Sequence, residues 1–213
     1  MSDITRSDIT RWLMAFADQI AANKDYLTEL DSAIGDADHG INMERGFQAV
    51  LLKLPTLADQ DIGSVLKLVA MTLISTVGGA SGPLYGTLFL QMATATTGKL
   101  ELNLAEWSNA FSSAVEGVAR RGKAVPGDKT MLDSLLPGLA ALKKAAAQGA
   151  GWAEALESCE RAARQGMLDT IPLVARKGRA SYLGERSAGH QDPGATSAHL
   201  LLQAAMESWT NAK

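Results

Sequence analysis

The sequence predicts an all-α fold, and three observations carry that prediction. Apolar residues recur at intervals of three and four along most of the chain, no stretch sustains the period-2 alternation of a half-buried strand, and glycine gathers in the connections between periodic segments. With 213 residues the chain can bury a substantial core, and without a Pro/Gly/Ser-rich divider it is expected to form one domain over 1–213.

The helices follow in order. Ile9, Trp12, Leu13, Phe16 and Ile20 mark the first amphipathic face, and a short helix near 25–33 leads to an acidic loop. Met43, Phe47, Val50, Leu51 and Leu54 mark the next face, then Ile62, Val65, Leu66, Val69 and Leu73. Further helices are expected near 83–97, 103–121, 129–148, 151–174 and 194–211, the last lined by Ala198, Leu201, Leu202, Ala205 and Trp209. Pro137 and Pro172 are expected to kink or end their helices. The result is about eight main helices plus the short one.

Four unusual segments, 31–42, 77–87, 122–133 and 175–197, hold most of the 20 glycines and alternate with plain connections near 55–60, 98–102 and 149–151. In an up-and-down antiparallel array every second connection lies at the same end. The four are therefore expected to meet on one rim.

Each segment carries its own chemistry. GDADHG at 35–40, with Asp31 upstream, sets three carboxylates and a histidine within nine residues. On an extended loop Asp36 and Asp38 would leave the same side about 6.6 Å apart at the backbone. Hard carboxylate oxygens on a glycine-flexed loop suit Mg²⁺, which keeps open positions for water and phosphate oxygens. A structural loop with Asp as a helix cap is the alternative, and His39 alone reads equally as a packing or catalytic residue. An EF-hand does not fit, because counting from Asp36 the sixth position is not Gly and the twelfth is Phe47.

The second segment, VGGASGPLYGT, places Gly78, Gly79 and Gly82 ahead of a helix whose first turn would carry Pro83. Backbone N–H groups there can form an anion-holding nest, with the Ser81 hydroxyl as a further donor. Lacking a lysine, the stretch is not a Walker A loop. Ordinary helix caps and close packing at Gly86 would explain the same glycines. In the third segment Asp128 is expected to cap a helix, and Thr130 and Met131 could face a flat apolar ligand or simply join the core. The fourth groups Arg176, Lys177, Arg179, Arg186, His190 and Asp192 in a long aperiodic stretch, either a functional lid or a solvated basic loop, with Asp192 as N-cap of the last helix. His199 lies inside that helix and reads as structural.

Charge and composition limit the ligand and the partners. Three aspartates bring a charge of about −3 and a nucleoside diphosphate about −3, so two Mg²⁺ come close to balancing the pocket where one does not. A formal net charge of −3 and pI near 5.6, with scattered Lys and Arg, exclude a nucleic-acid stripe. No apolar run approaches a membrane span, and the start lacks a signal-peptide layout, so a cytoplasmic protein is expected. The single cysteine, Cys159, excludes an internal disulfide and reads as an inert helix residue.

Taken together, GDADHGINMERGF, VGGASGPLYGT, GKAVPGDKTMLD and RKGRASYLGERSAGHQDPGATS resemble the ADP-binding L subunits of phosphotransferase-system-dependent dihydroxyacetone kinases, in the same order and over nearly the whole chain. The resemblance implies an up-and-down antiparallel eight-helix barrel with the nucleotide site at one rim, and two Mg²⁺ held by Asp31, Asp36 and Asp38. It further implies that His39, Gly40 and Asn42 touch the nucleotide, that Gly79, Ala80 and Ser81 hold its phosphates, that Gly122, Thr130 and Met131 approach the adenine, and that Arg179, Asp192, Pro193 and Gly194 close the site. ADP would be a retained coenzyme, phosphorylated by a phosphohistidine of an M subunit, with the γ-phosphate passing to dihydroxyacetone on a K subunit. A transcriptional regulator is a further expected partner. The residues agree in offering no room for a separate triose-binding domain and no obvious nucleophile for a covalent phosphoenzyme. Two other readings use the same residues: a two-metal phosphatase or nucleotide hydrolase, and a nucleotide-sensing adaptor.

Overall fold

The computed structural model describes residues 3–57 and 59–210 and is helical almost throughout. Helix α1 (Arg6–Ala22) starts at a reciprocal capping box, in which Thr5 accepts from the Asp8 N–H and the Asp8 carboxylate accepts from the Thr5 N–H. Asn23 alone separates it from α2 (Lys24–Ile34), the short helix expected before the acidic loop. Helices α3 (His39–Lys53), α4 (Ile62–Thr76) and α5 (Ser81–Ala95) follow, with Asp61 capping α4 through the Ser64 N–H at 2.6 Å. A second capping box, Asn103 with Glu106, opens α6 (Leu104–Gly122). The remainder is α7 (Leu132–Ala147), α8 (Trp152–Asp169) and α9 (Pro193–Thr210), so residue 211 of the expected last helix lies outside the described residues.

Neighbours in sequence are mostly neighbours in space. Helix α3 packs on α1 and α4, α4 on α5, α5 on α6, α6 on α7, α7 on α8, α8 on α9, and α9 returns to α1. Helix α2 lies against α3 and α9.

Several boundaries differ from the sequence reading, each for a local reason. Helix α5 begins at Ser81, so Pro83 is its third residue rather than its first. Helix α7 begins at Leu132, because Gly127 and Lys129 both take positive φ and turn the chain before it. Asp128 therefore caps a tight turn, accepting the Val125 N–H, while the Asp133 carboxylate takes the Gly127 and Thr130 N–H groups at 2.5 and 2.7 Å. Pro137 stays inside α7 without ending it. It has no N–H to bond the Asp133 carbonyl, and Gly166 of α8 packs so close to that carbonyl that a Cβ would lie 2.1 Å from it. Helix α8 stops at Asp169, ahead of Pro172. One antiparallel bridge, β1 (Ile4–Thr5) with β2 (Glu101–Leu102), pairs Ile4 with Leu102 and is too short to leave an alternation in the sequence.

The apolar faces meet in one core cluster that reaches every α-helix, and four tryptophans fill its end away from the glycine-rich connections. Trp12, Trp107 and Trp209 contact edge to face with centroids 5.3, 5.7 and 4.9 Å apart, and Trp152 joins Trp209 at 5.9 Å. The Trp12 indole N–H donates to the Leu201 carbonyl at 2.9 Å, tying α1 to α9. Trp12→Phe should lower stability by about 1–2 kcal/mol, read as a smaller urea midpoint with an unchanged slope.

Candidate functional site

A pocket of about 390 Å³ opens where the α2–α3, α4–α5, α6–α7 and α8–α9 connections meet, with residues of all four glycine-rich segments in its wall. It is built from helix ends, and helix N-termini present unpaired N–H groups and partial positive charge.

The acidic wall is folded rather than extended. Ala37 takes the left-handed conformation at φ 59°, which turns the loop back on α2 and replaces the extended geometry expected from the sequence. Even so, carboxylate oxygens of Asp31, Asp36 and Asp38 all lie within 4.8 Å of one another. Asp31 is buried, and its Oδ2 accepts the backbone N–H groups of Asp38 and His39 at 2.9 and 3.1 Å, so it also caps α3. Asp36 is exposed, and its Oδ2 pairs with the Arg179 guanidinium, 2.9 Å from Nε. Three converging carboxylates repel one another unless cations stand between them, and their hard oxygens fit Mg²⁺.

Opposite lies Gly78-Gly79-Ala80-Ser81. Gly79 has φ +63°, and no side chain caps the first turn of α5, leaving its N–H groups toward the pocket. Ser81 Oγ is 3.0 Å from His39 Nδ1, His39 Nε2 is 2.9 Å from Ser197 Oγ, and Ser197 Oγ is 2.7 Å from the Tyr85 hydroxyl. Burial pushes the His39 pKa down against the pull of Asp31 and Asp38, which favours the neutral ring. A neutral imidazole donates from one nitrogen and accepts at the other, so the chain Ser81–His39–Ser197–Tyr85 fixes the Ser81 hydroxyl at the pocket edge.

Gly122, Thr130 and Met131 line the third wall, joined by Leu84, Val118 and Leu132. Sequence reasoning did not pick out Leu84 and Val118, which fall in helical periods like any core residue. The fourth wall brings Arg179 and Asp192 from the connection after α8, with Pro193 and Gly194 of the first turn of α9. That connection contains a 3₁₀ segment, Arg179–Ser187, broken by Gly184 at φ 55°. Asp192 accepts the Ala195 N–H at 2.7 Å, as the expected N-cap of α9, and burial raises its pKa to about 7.

Two expected nucleotide contacts are not in the wall. Gly40 sits at the α2–α3 crossing, where a Cβ would lie 2.0 Å from the Lys24 carbonyl oxygen. Asn42 stands behind Gly78 and accepts from Arg45 at 2.6 Å. Both lie on α3, whose N-terminus reaches the pocket while the following turn faces the helix packing.

Lys129 was missed. It is 1% exposed, has φ +61°, and points its ammonium into backbone carbonyls of the α8–α9 connection. A single lysine after Pro-Gly-Asp gives no periodic signal of burial.

Cys159 is buried, and burial raises its thiol pKa to about 12, so it supplies no nucleophile. Native protein at pH 8 should resist iodoacetamide, and denatured protein should take up one equivalent, counted by mass spectrometry. No helix among the described residues is long and apolar enough to cross a membrane.

Comparison with known proteins extends this geometry. Residues 33–207 match the family described as the DAK2 domain. Over 200 residues the chain is 50% identical to the protein named PEP-dependent dihydroxyacetone kinase, ADP-binding subunit DhaL, of Escherichia coli (strain K12), covering 94% of this chain and 95% of that protein. It is 40% identical over 204 residues to the PTS-dependent dihydroxyacetone kinase, ADP-binding subunit DhaL, of Lactococcus lactis subsp. lactis (strain IL1403), covering 96% and 98%. The fold also matches the dihydroxyacetone kinase from C. freundii in complex with AMP-PNP and Mg2+, with a TM-score of 0.70 at 22% identity, over 98% of this chain and 35% of that longer one. The chain therefore belongs to the DAK2-domain family, and within it to the DhaL-type subunits.

Proposed function

We propose that this chain is the nucleotide-binding subunit of a phosphoenolpyruvate-driven dihydroxyacetone kinase. It retains ADP, accepts a phosphoryl group from the phosphohistidine of an M subunit, and passes the γ-phosphate to dihydroxyacetone on a K subunit, returning ADP. The observation that carries this reading is three carboxylates within 4.8 Å of one another, in one pocket with the uncapped start of α5. The relatives named as ADP-binding subunits of such kinases support it.

Asp31, Asp36 and Asp38 would hold two Mg²⁺, which when bound neutralise phosphate charge and align donor and acceptor oxygens. The N–H groups from Gly79 to Ser81 receive phosphate oxygens, and the Ser81 hydroxyl, held by neutral His39, adds a donor. Thr130 and Met131, with Leu84 and Val118, give the adenine an apolar slot. Arg179 supplies a largely exposed cation at the mouth, while Asp192 holds the α9 N-terminus beside it. Asp31, Asp36 and Asp38 are committed to the cations and the Ser81 hydroxyl to His39, so phosphoryl transfer is direct between bound groups and partner proteins.

The circuit of helix neighbours supports an eight-helix barrel with α2 as an addition, and one domain over 1–213 is part of the same proposal. A cytoplasmic location and a transcriptional regulator as third partner belong to the same proposal. The test is to mix purified protein with K subunit, phosphorylated M subunit and dihydroxyacetone, without added nucleotide. Dihydroxyacetone phosphate should accumulate to many equivalents of the bound ADP. Rapid phosphate release from ATP without partners would favour the hydrolase instead.

A further inference from the structure

The connection from Thr170 to Asp192 carries Arg179 and Asp192 to the pocket, yet most of it has no regular helix to hold it. Its two ends are joined by one side chain from another segment. Lys129 Nζ lies 2.9 Å from the Thr170 carbonyl, 3.4 Å from Ile171 and 3.0 Å from Leu173 at the start of this strap. At its end the same atom lies 2.8 Å from the Ser187 carbonyl and against that of His190. Five carbonyl oxygens converge on an ammonium with three N–H donors, so some donors are shared. Buried carbonyls without a donor are costly, and a charged donor meets several at once.

We propose that Lys129 is a positioning residue whose ammonium closes a ring of five strap carbonyls and thereby holds Arg179 and Asp192 against the nucleotide pocket. It acts through the strap and through its neighbours Thr130 and Met131, which share the pocket wall. Other polar contacts are dispersed. The Ala175 N–H donates to Ser187 Oγ at 2.8 Å and the Gly189 N–H to the Ile171 carbonyl at 2.8 Å, both within the strap. The Arg176 N–H donates to the Asp128 carbonyl at 3.0 Å and Lys177 Nζ lies 3.8 Å from the Asp128 carboxylate, beside Lys129 itself. Arg179 pairs with Asp36, and Gln191 Nε2 reaches the Tyr26 hydroxyl at 3.3 Å on the α2 side, each with an exposed side chain as one partner. Lys129 itself takes a left-handed backbone at φ +61°, which glycine would adopt with less strain. The effect on ADP rests on the nucleotide reading above, whereas the hold on the strap does not.

Two variants test this. Lys129→Gly suits the positive φ and removes the whole side chain, and Lys129→Met keeps an unbranched stem and removes the charge. Hydrogen exchange of nucleotide-free protein should accelerate about 10-fold or more across 171–191 and stay near wild type in the cores of α1, α4 and α6. Trypsin should cut faster after Arg176, Lys177, Arg179 and Arg186. ADP release from loaded protein should quicken by about 10- to 100-fold. In Lys129→Gly, n-butylamine matches the missing side chain and should restore strap protection, whereas tetramethylammonium, without N–H donors, should not. Strap exchange unchanged in either variant, acceleration spread evenly over all helices, or a Lys129→Gly strap that butylamine leaves loose would each overturn the proposal. Wild-type protein that holds no ADP would overturn the nucleotide reading, and the exchange data would still decide the role of Lys129.

Discussion

Alanine in place of Asp36 is expected to cut the affinity for magnesium-ADP by about 100-fold or more while leaving the nucleotide-free fold nearly as stable as before. The two effects separate because of where this carboxylate stands. Asp36 is exposed, and its recorded partner is Arg179, itself 68% exposed at the side chain, so the pair contributes little to folding. Its loss to a cation site is different, since two neighbouring carboxylates within 4.8 Å remain with too little charge for two Mg²⁺. Asp31→Ala makes the contrast. That carboxylate also accepts two N–H groups at the start of α3, so its removal should lower stability by about 1–2 kcal/mol as well. Calorimetric titration with ADP at fixed magnesium, beside thermal melts without nucleotide, reads both. An Asp36→Ala protein that binds magnesium-ADP like wild type would remove the acidic cluster from the site.

Gly40→Ala should destabilise the nucleotide-free protein by roughly 3 kcal/mol, although Gly40 is not in the pocket wall. The added Cβ would lie 2.0 Å from the Lys24 carbonyl oxygen and 2.6 Å from Thr28 Oγ1. The first is backbone of α2 and cannot swing aside, so α2 and α3 must separate. Separation also draws Asp31 away from the α3 N-terminus, so ADP affinity should fall with stability. Urea denaturation without nucleotide distinguishes this from a direct contact. If Gly40 mattered only by touching ADP, the urea midpoint of empty protein would not move.

The sequence made the helices legible because their burial is periodic. Ile9, Trp12, Leu13, Phe16 and Ile20 are all buried in α1, as their spacing requires. The meeting of four connections at one end was legible too, since alternation along an up-and-down array needs no side-chain detail. What escaped was set by single backbone conformations and close approaches. Left-handed Ala37 folds the acidic loop, and the turns at Gly127 and Lys129 delay α7 so that Asp133, not Asp128, serves its start. Family resemblance put Gly40 and Asn42 at the nucleotide, whereas the helical turn after His39 carries both into packing contacts. Lys129 was illegible because its partners are carbonyls, which every residue has.

Native mass spectrometry of gently purified protein weighs the bound nucleotide and metal ions in one measurement. The spectrum should show a folded chain carrying one ADP and two magnesium ions, with nucleotide and metal lost together in Asp36→Ala. A chain that arrives empty, and stays empty after incubation with ADP and magnesium, would contradict the nucleotide reading.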